Sequence, residues 1–293
     1  MSNKVYEIIT NRVLEIMDKG VIPWRKPWKG NRLSFLNISG HEYSGINRFM
    51  LSLTNFETPL FLTFHQAKKL NGEIKKGATA YPIFFYSFME KEDAEGNKKR
   101  IPIFRYSNAF NIEQCDGISI PKKIQEKLNF WNEKKNNNPI ESAQSIVENM
   151  QNKPAITINH DGNRACYFPM LDSISVPEIN LFEKTEEYYS TLFHELGHST
   201  GHASRLNRET LTNSALFGSH QYSIEELIAE FTATFLACEA GIERETIDNS
   251  AAYLQSWAQK LKEKPNMLAQ AASRAQKAAD YILGVNPQAE TEE

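Results

Sequence analysis

Apolar and polar positions alternate with a helical period at the start of the chain. Val5, Ile8, Ile9, Val13, Ile16 and Met17 share one side of residues 3–19, and Gly20 is a natural stop. A turn at Gly45-Ile-Asn-Arg feeds a short helix through Leu53, and Leu60-Phe-Leu-Thr reads as a short strand. Thr63 is placed to cap a short helix behind it. An aromatic strand over 80–88, a charged tip over 90–100 turning at Glu95-Gly96-Asn97, and a return strand over 101–111 predict a hairpin. Residues 113–138 are polar and low in complexity and read as a connection. Beyond them come a helix over 140–150 and three short strands at 155–159, 165–168 and 173–176, expected to form a meander. Helices follow from Tyr188 to an end near Gly201, over 223–240 with Ser223 as cap and Gly241 as stop, and over 249–262 and 267–283, split by Pro265. The polar stretch 203–219 reads as loop.

This pattern predicts an α+β protein of two modules. Residues 1–125 form the first, with a small antiparallel sheet; 126–139 are the linker; 140–285 form the second; and 286–293 are a disordered tail. At 293 residues and 41% hydrophobic the chain is long enough for both. No run approaches the roughly 18 apolar residues of a membrane span. The first residues lack an apolar signal core, and Cys115, Cys166 and Cys238 stand alone, so free thiols and a cytoplasmic location are expected. Charge divides the chain. Residues 1–112 hold 17 Lys and Arg against 10 Asp and Glu, whereas the remainder holds 16 against 26. A basic first module suits an anionic partner such as nucleic acid. Trp24 and Trp28, interleaved with Arg25, Lys26 and Lys29, are residues that can stack bases and neutralise phosphates. The alternative, that the two indoles plug the core under a loop, stays open.

The second module carries the chemistry. His194-Glu195-Leu196-Gly197-His198 is an H-E-x-x-H motif. Two histidines four apart on a helix face one point, and both imidazoles can reach one metal ion. Glu195, beside them, is the candidate acid/base. A third ligand is needed. His202 continues the ladder, but three stacked ligands on one straight helix span about 12 Å, so His202 is assigned to the loop or to a supporting position. On a helical wheel of 223–240, Ala229, Ala233, Ala237 and Ala240 form a small-residue face. Glu226 falls near its middle, Glu230 lies one turn on, and Glu225 points away. Glu226 is therefore the expected third ligand, and Glu230 the carboxylate that orients a ligand imidazole. Zinc is the default metal and manganese the alternative. The strand at 173–176 or its neighbour could offer an edge to a peptide substrate, and His202, His220 and Tyr222 are candidates to steady an oxyanion.

Several longer stretches resemble the ArdC-type antirestriction family of plasmids and other mobile elements. In the first module these are 20–28, Tyr43-Ser-Gly-Ile-Asn47, Leu62-Thr-Phe-His-Gln-Ala67, Ile74-Lys-Lys-Gly77 and Phe110-Asn-Ile-Glu-Gln114. In the second they are Asp172-Ser-Ile-Ser-Val-Pro177, 188–202, Arg205-Leu-Asn-Arg208 and Glu225-Glu-Leu-Ile-Ala-Glu230. The resemblance implies an N-terminal single-stranded-DNA-binding domain, similar also to part of conjugative-plasmid primases, and a C-terminal zincin-like metallopeptidase domain. It places the metal on His194, His198 and Glu226, with Glu195 as acid/base. Tyr43, Asn47, Arg48, Lys75 and Lys76 join Trp24, Arg25, Lys26 and Trp28 as DNA-binding candidates. The implied role is protection of incoming DNA during conjugation, with single-stranded DNA as partner and a host restriction-related or regulatory protein as peptide substrate. Two readings follow. One is a zinc-dependent peptidase carried on a DNA-binding module; the other is a non-enzymatic DNA-protection protein whose metal is structural or vestigial.

Overall fold

Helix α1, Ser2–Met17, buries Val5, Ile9, Val13 and Met17 along one side, and Gly20 turns the chain with φ +77°. The computed structural model describes residues 2–23, 35–54, 56–92, 98–134, 138–160, 164–212, 220–242 and 251–285. Five strands build the first module's main sheet: β1 (Phe35–Asn37), β2 (Glu42–Tyr43), β3 (Leu60–Thr63), β5 (Tyr81–Glu92) and β6 (Lys98–Asn111). Their order is β2-β1-β3-β6-β5, antiparallel except for β1 beside β3. Between β1 and β5 lie α2 (Gly45–Ser52), α3 (Phe64–Lys69) and β4 (Glu73–Ile74), which pairs with β7 (Cys115–Asp116). The expected threonine cap holds. Thr63 Oγ1 accepts from the Gln66 N–H at 3.3 Å, and the Gln66 side chain accepts from the Thr63 N–H at 2.8 Å.

The expected connection after β7 is mostly helix. Within it, α4 (Lys122–Lys134) buries Ile124 and Leu128, one turn apart, against Leu36, Leu60, Leu62 and Ala67. Its lysines and glutamates are the solvated side of a packed helix, which is why composition alone suggested a linker. The turn at 95–97 and the tail 286–293 lie outside the described residues.

The second module comprises α5 (Pro139–Asn149), β8 (Ala155–Asn159), β9 (Cys166–Phe168), β10 (Ser173–Pro177), α6 (Thr185–Ser199), α7 (Glu209–Thr212), α8 (His220–Ala240), α9 (Ala251–Glu263) and α10 (Met267–Leu283). The three strands do not form the expected meander. Their order is β8-β10-β9, with β10 parallel to β8 and antiparallel to β9. A tight turn with Asp172 at φ +45° folds β9 back on β10, so β8 takes the other edge of β10. Both edges of β10 are thus paired, and it offers none to a substrate; β9 keeps an outer edge within this sheet. Helix α8 starts at His220, so Ser223 is a buried interior residue and not the cap. Residues 209–212, expected as loop, form α7.

The modules share one core. Phe49 of α2 meets Phe231 of α8 with ring centroids 4.5 Å apart, and both are fully buried. The Gly45 N–H donates to Gln276 Oε1 at 3.1 Å, and Thr10 Oγ1 donates to the Pro265 carbonyl at 3.0 Å. Among the described residues the three cysteines are free thiols, and no helix is long and apolar enough to cross a membrane.

Candidate metal centre

Helix α6 brings its motif to α8 by unusually close backbone approach. A Cβ on Gly197 would stand 3.0 Å from Ala229 Cα and 3.2 Å from Thr232 Cβ. The alanine face expected to admit a neighbour does admit one, and glycine is the residue that fits opposite it. This contact sets His194 and His198 against the acidic start of α8. Their Nε2 atoms lie 3.2 Å apart. Glu226 Oε2 is 3.7 Å from His194 Nε2, and its Oε1 is 3.5 Å from His198 Nε2. One ligand atom from each of the three residues falls within a 4.8 Å cluster, and all three side chains are half-buried.

The donor set fits a divalent cation. Two imidazole nitrogens face each other beside a carboxylate, and the His198 ring is held from behind. Glu225 Oε1 lies 3.4 Å from His198 Nδ1, which favours the tautomer with its proton there and the Nε2 lone pair turned to the cluster. This corrects the expectation that Glu225 points away. The helices cross so closely that adjacent carboxylates flank one ring, Glu226 at Nε2 and Glu225 at Nδ1. Glu230 is buried one turn further along α8.

Glu225 is itself anchored. Arg208 Nε donates to its Oε2 at 3.1 Å, Arg208 Nη2 donates to Oε1, and the Thr210 hydroxyl donates to Oε2. Burial alone would raise the Glu225 pKa, but its bonds to His198 and Arg208 outweigh this and lower it to about 2. The same guanidinium donates to the carbonyls of Gly197 at 2.8 Å and His198 at 3.3 Å, where the end of α6 leaves acceptors open. Gly201 makes the room, since a Cβ there would lie 2.9 Å from Arg208 Nη2. The role of Arg208 is invisible in sequence, because it depends on where the loop returns.

Glu195 is buried, and its Oε2 accepts the Tyr167 N–H from β9 at 2.7 Å. Burial pushes its carboxyl up, the nearby Glu226 charge adds to this, and His198, the Tyr167 N–H and Arg164 act in the opposite sense. Tyr167 is held at its other end by Asp172 at 2.8 Å and by Arg205 at 3.2 Å. Arg205 also donates to the carbonyls of Ser199 at 2.8 Å and Asn152 at 2.9 Å. His202 lies past the end of α6, with Nδ1 2.8 Å from Ser204 Oγ and 4.0 Å from Asp172. The side chains of His220 and Tyr222 lie outside the described residues.

The nucleic-acid candidates divide. Trp24, Arg25, Lys26 and Trp28 lie outside the described residues. Lys75 and Lys76 are exposed, with Lys75 Nζ donating to the Glu113 carbonyl at 3.0 Å. Tyr43, Asn47 and Arg48 make contacts within the fold. Tyr43 is buried, its hydroxyl accepting from Asn37 at 2.9 Å. The Asn47 amide clamps the Phe84 backbone at 2.7 and 2.8 Å. Arg48 is buried with its guanidinium 4.9 Å over the Phe235 ring and Nη2 donating to the Phe235 carbonyl at 3.4 Å.

A two-module α+β chain with this helix pair is a zincin-like metallopeptidase domain joined to an N-terminal α+β domain. Residues 145–274 match the zincin-like metallopeptidase family, and residues 3–110 match the N-terminal domain of anti-restriction factor ArdC. The crystal structure of the metal-free antirestriction protein ArdC from plasmid R388 is similar, with a TM-score of 0.73 and 32% identity over 94% of this chain and 96% of that one. Its Mn(II)-bound structure gives a TM-score of 0.72 and 30% identity, covering 98% of this chain and 99% of that one. The chain belongs to the ArdC antirestriction family. A DNA primase TraC of Escherichia coli is 33% identical over 95% of this chain, and a second is 32% identical. The chain spans only 20% and 27% of the length of these two relatives. The uncharacterized protein y4eC of Sinorhizobium fredii is 26% identical, with 91% of its length covered. The zincin-like fold and the Mn(II)-bound relative suggest a divalent metal in this family.

Proposed function

We propose that this chain is an antirestriction protein of a mobile element that binds single-stranded DNA through residues 1–125 and carries a metal-dependent peptidase site in residues 140–285. The observation that carries the peptidase reading is the convergence of His194, His198 and Glu226 beside a buried, non-ligand Glu195. A divalent ion held by those three residues, zinc or manganese, would supply Lewis acidity that activates water and polarises a carbonyl. Glu195 takes a proton from water and later delivers it to the leaving amine; the Tyr167 N–H fixes one of its oxygens for this task. Glu225, with Glu230 as a second carboxylate, orients the ligand imidazoles. A purely structural site has no need of Glu195.

The DNA-binding reading rests on the basic balance of residues 1–112 and on Trp24, Arg25, Lys26 and Trp28, with Lys75 and Lys76 as further exposed cations. The peptide substrate is a host protein linked to restriction or its regulation. The test compares protection of transferred DNA in cells carrying wild type and Glu195→Ala. Loss of protection with retained DNA binding is expected. Equal protection would replace the peptidase reading with that of a DNA-protection protein.

A further inference from the structure

A cavity of about 500 Å³ opens between residues 206–210, the start of α8 and the middle of α10. Its size falls within the ~300–1,000 Å³ of sites that hold small organic ligands. It is separate from the metal cluster, whose three ligands do not line it. Arg208 and Thr210 form its buried wall, and both already bond Glu225 behind His198. Leu206 and Ile224 add apolar surface.

Its charge comes from α10. That helix buries Ala271, Ala275 and Ala278, and the residues beside this stripe, Arg274 and Lys277, stand exposed at the cavity. They are three apart on a helix, so their Cβ atoms lie about 5–6 Å from each other and both cations can converge on one group. Among the described residues neither has a hydrogen-bond or ion-pair partner. Residues 113–293 hold 26 Asp and Glu against 16 Lys and Arg. Carboxylates are plentiful in this part of the chain, yet none is placed on these two cations. Arg208 is neutralised by Glu225, and among the described lining residues Glu209 is the only carboxylate. Arg274 and Lys277 thus leave an excess of positive charge beside an apolar wall.

We propose that this cavity binds a small phosphate ester, with the phosphate on Arg274 and Lys277 and the organic body against Leu206 and Ile224. A phosphate monoester carries a charge of about −1.5 to −2 at pH 7 and three acceptor oxygens. That matches two cations, whereas a carboxylate would leave one of them unanswered. The planar fork of Arg274 can take two of the oxygens, and Lys277 acts as a point charge. The site lies outside the metal centre and outside the DNA-binding candidates of the first module, and it stands without either reading.

The test is isothermal titration of the full chain with thymidine 5′-monophosphate, thymidine and inorganic phosphate. The nucleotide is expected to bind once per chain and more tightly than inorganic phosphate, and thymidine not measurably. Affinity for the nucleotide should fall about tenfold for each of Arg274→Ala and Lys277→Ala. Both side chains are exposed, so the Arg274→Ala/Lys277→Ala variant should fold and keep its metal content. Leu206→Trp, which fills the cavity and leaves the cations, should weaken the nucleotide and spare inorganic phosphate. Wild-type nucleotide affinity in the double variant would place the phosphate on the metal centre or the basic first module and overturn the proposal. Wild-type affinity in Leu206→Trp, or no saturable binding by either phosphate probe, would overturn it too. An unphosphorylated oligothymidylate that displaces the nucleotide, and loses affinity in the same double variant, would assign the cations to DNA instead.

Discussion

Glu225 Oε1 lies 3.4 Å from His198 Nδ1, on the side of the ring opposite the Nε2 that faces His194 and Glu226. One imidazole is thus gripped by two consecutive carboxylates of α8. Removing the rear carboxylate should loosen the ring without removing a ligand. Glu225→Gln is expected to weaken divalent-metal affinity by about 10- to 100-fold, read by competition against a metal-sensitive dye. Arg208→Ala does more, because it leaves Glu225 buried without its guanidinium. A loss of about 3–5 kcal/mol is expected in chemical denaturation.

Gly197 opposes Ala229 too closely for a side chain. The neighbouring atoms are Ala229 backbone and the Thr232 Cβ, none of which can turn aside, so Gly197→Ala must push α6 away from α8. A destabilisation of about 1–3 kcal/mol is expected. Metal affinity should fall with it, since the ligands come from both helices. Ala237→Gly, further along the same face of α8, should lower stability with little effect on metal affinity.

Asp172 gives the fold an acid-sensitive joint. Its hydrogen bonds with Arg205 hold its carboxyl below the usual aspartate range; burial opposes this, and the Tyr167 hydroxyl assists. A depressed carboxylate contributes stability that is present above its unfolded pKa and lost as pH falls through the folded value. The melting temperature of Asp172→Asn should therefore lie below wild type at neutral pH. The gap should close only well below about pH 4. A gap of constant size across that range would show that the carboxylate charge is not what holds the turn.

The shared core predicts that the modules unfold together. Phe49 sits in the first module and its ring partner Phe231 in the helix that carries Glu225 and Glu226. Phe49→Ala should cost about 3–5 kcal/mol. It should raise hydrogen exchange in α8 as well as in α2, in one cooperative transition. Exchange raised in α2 alone would make the modules independent.

These contacts also show what the chain discloses before it is folded. His194, Glu195 and His198 are legible because a helix fixes their spacing, and the alanine face of α8 is legible because it is periodic. Glu225 was misread because a helical wheel gives directions on one helix. It cannot show that a glycine on a second helix lets that helix sink until adjacent carboxylates flank one ring. The β8-β10-β9 order was hidden for a similar reason. Three short strands read as neighbours in chain order, and only the tight turn at Asp172 decides which edge remains. Helix α4 was masked by its charged side, two buried residues being too weak a signal against so many lysines. For Arg48, a DNA-binding candidate in sequence, the partner that the cation finds, the Phe235 ring, lies 187 positions away in the chain and no local pattern discloses it.

Metal content per chain, measured on purified protein after dialysis against manganese or zinc, tests the centre most directly. One ion is predicted in wild type and in Glu195→Ala, and none in His194→Ala or Glu226→Ala. A full ion in Glu226→Ala, or its loss in Glu195→Ala, would contradict the ligand set on which the account depends.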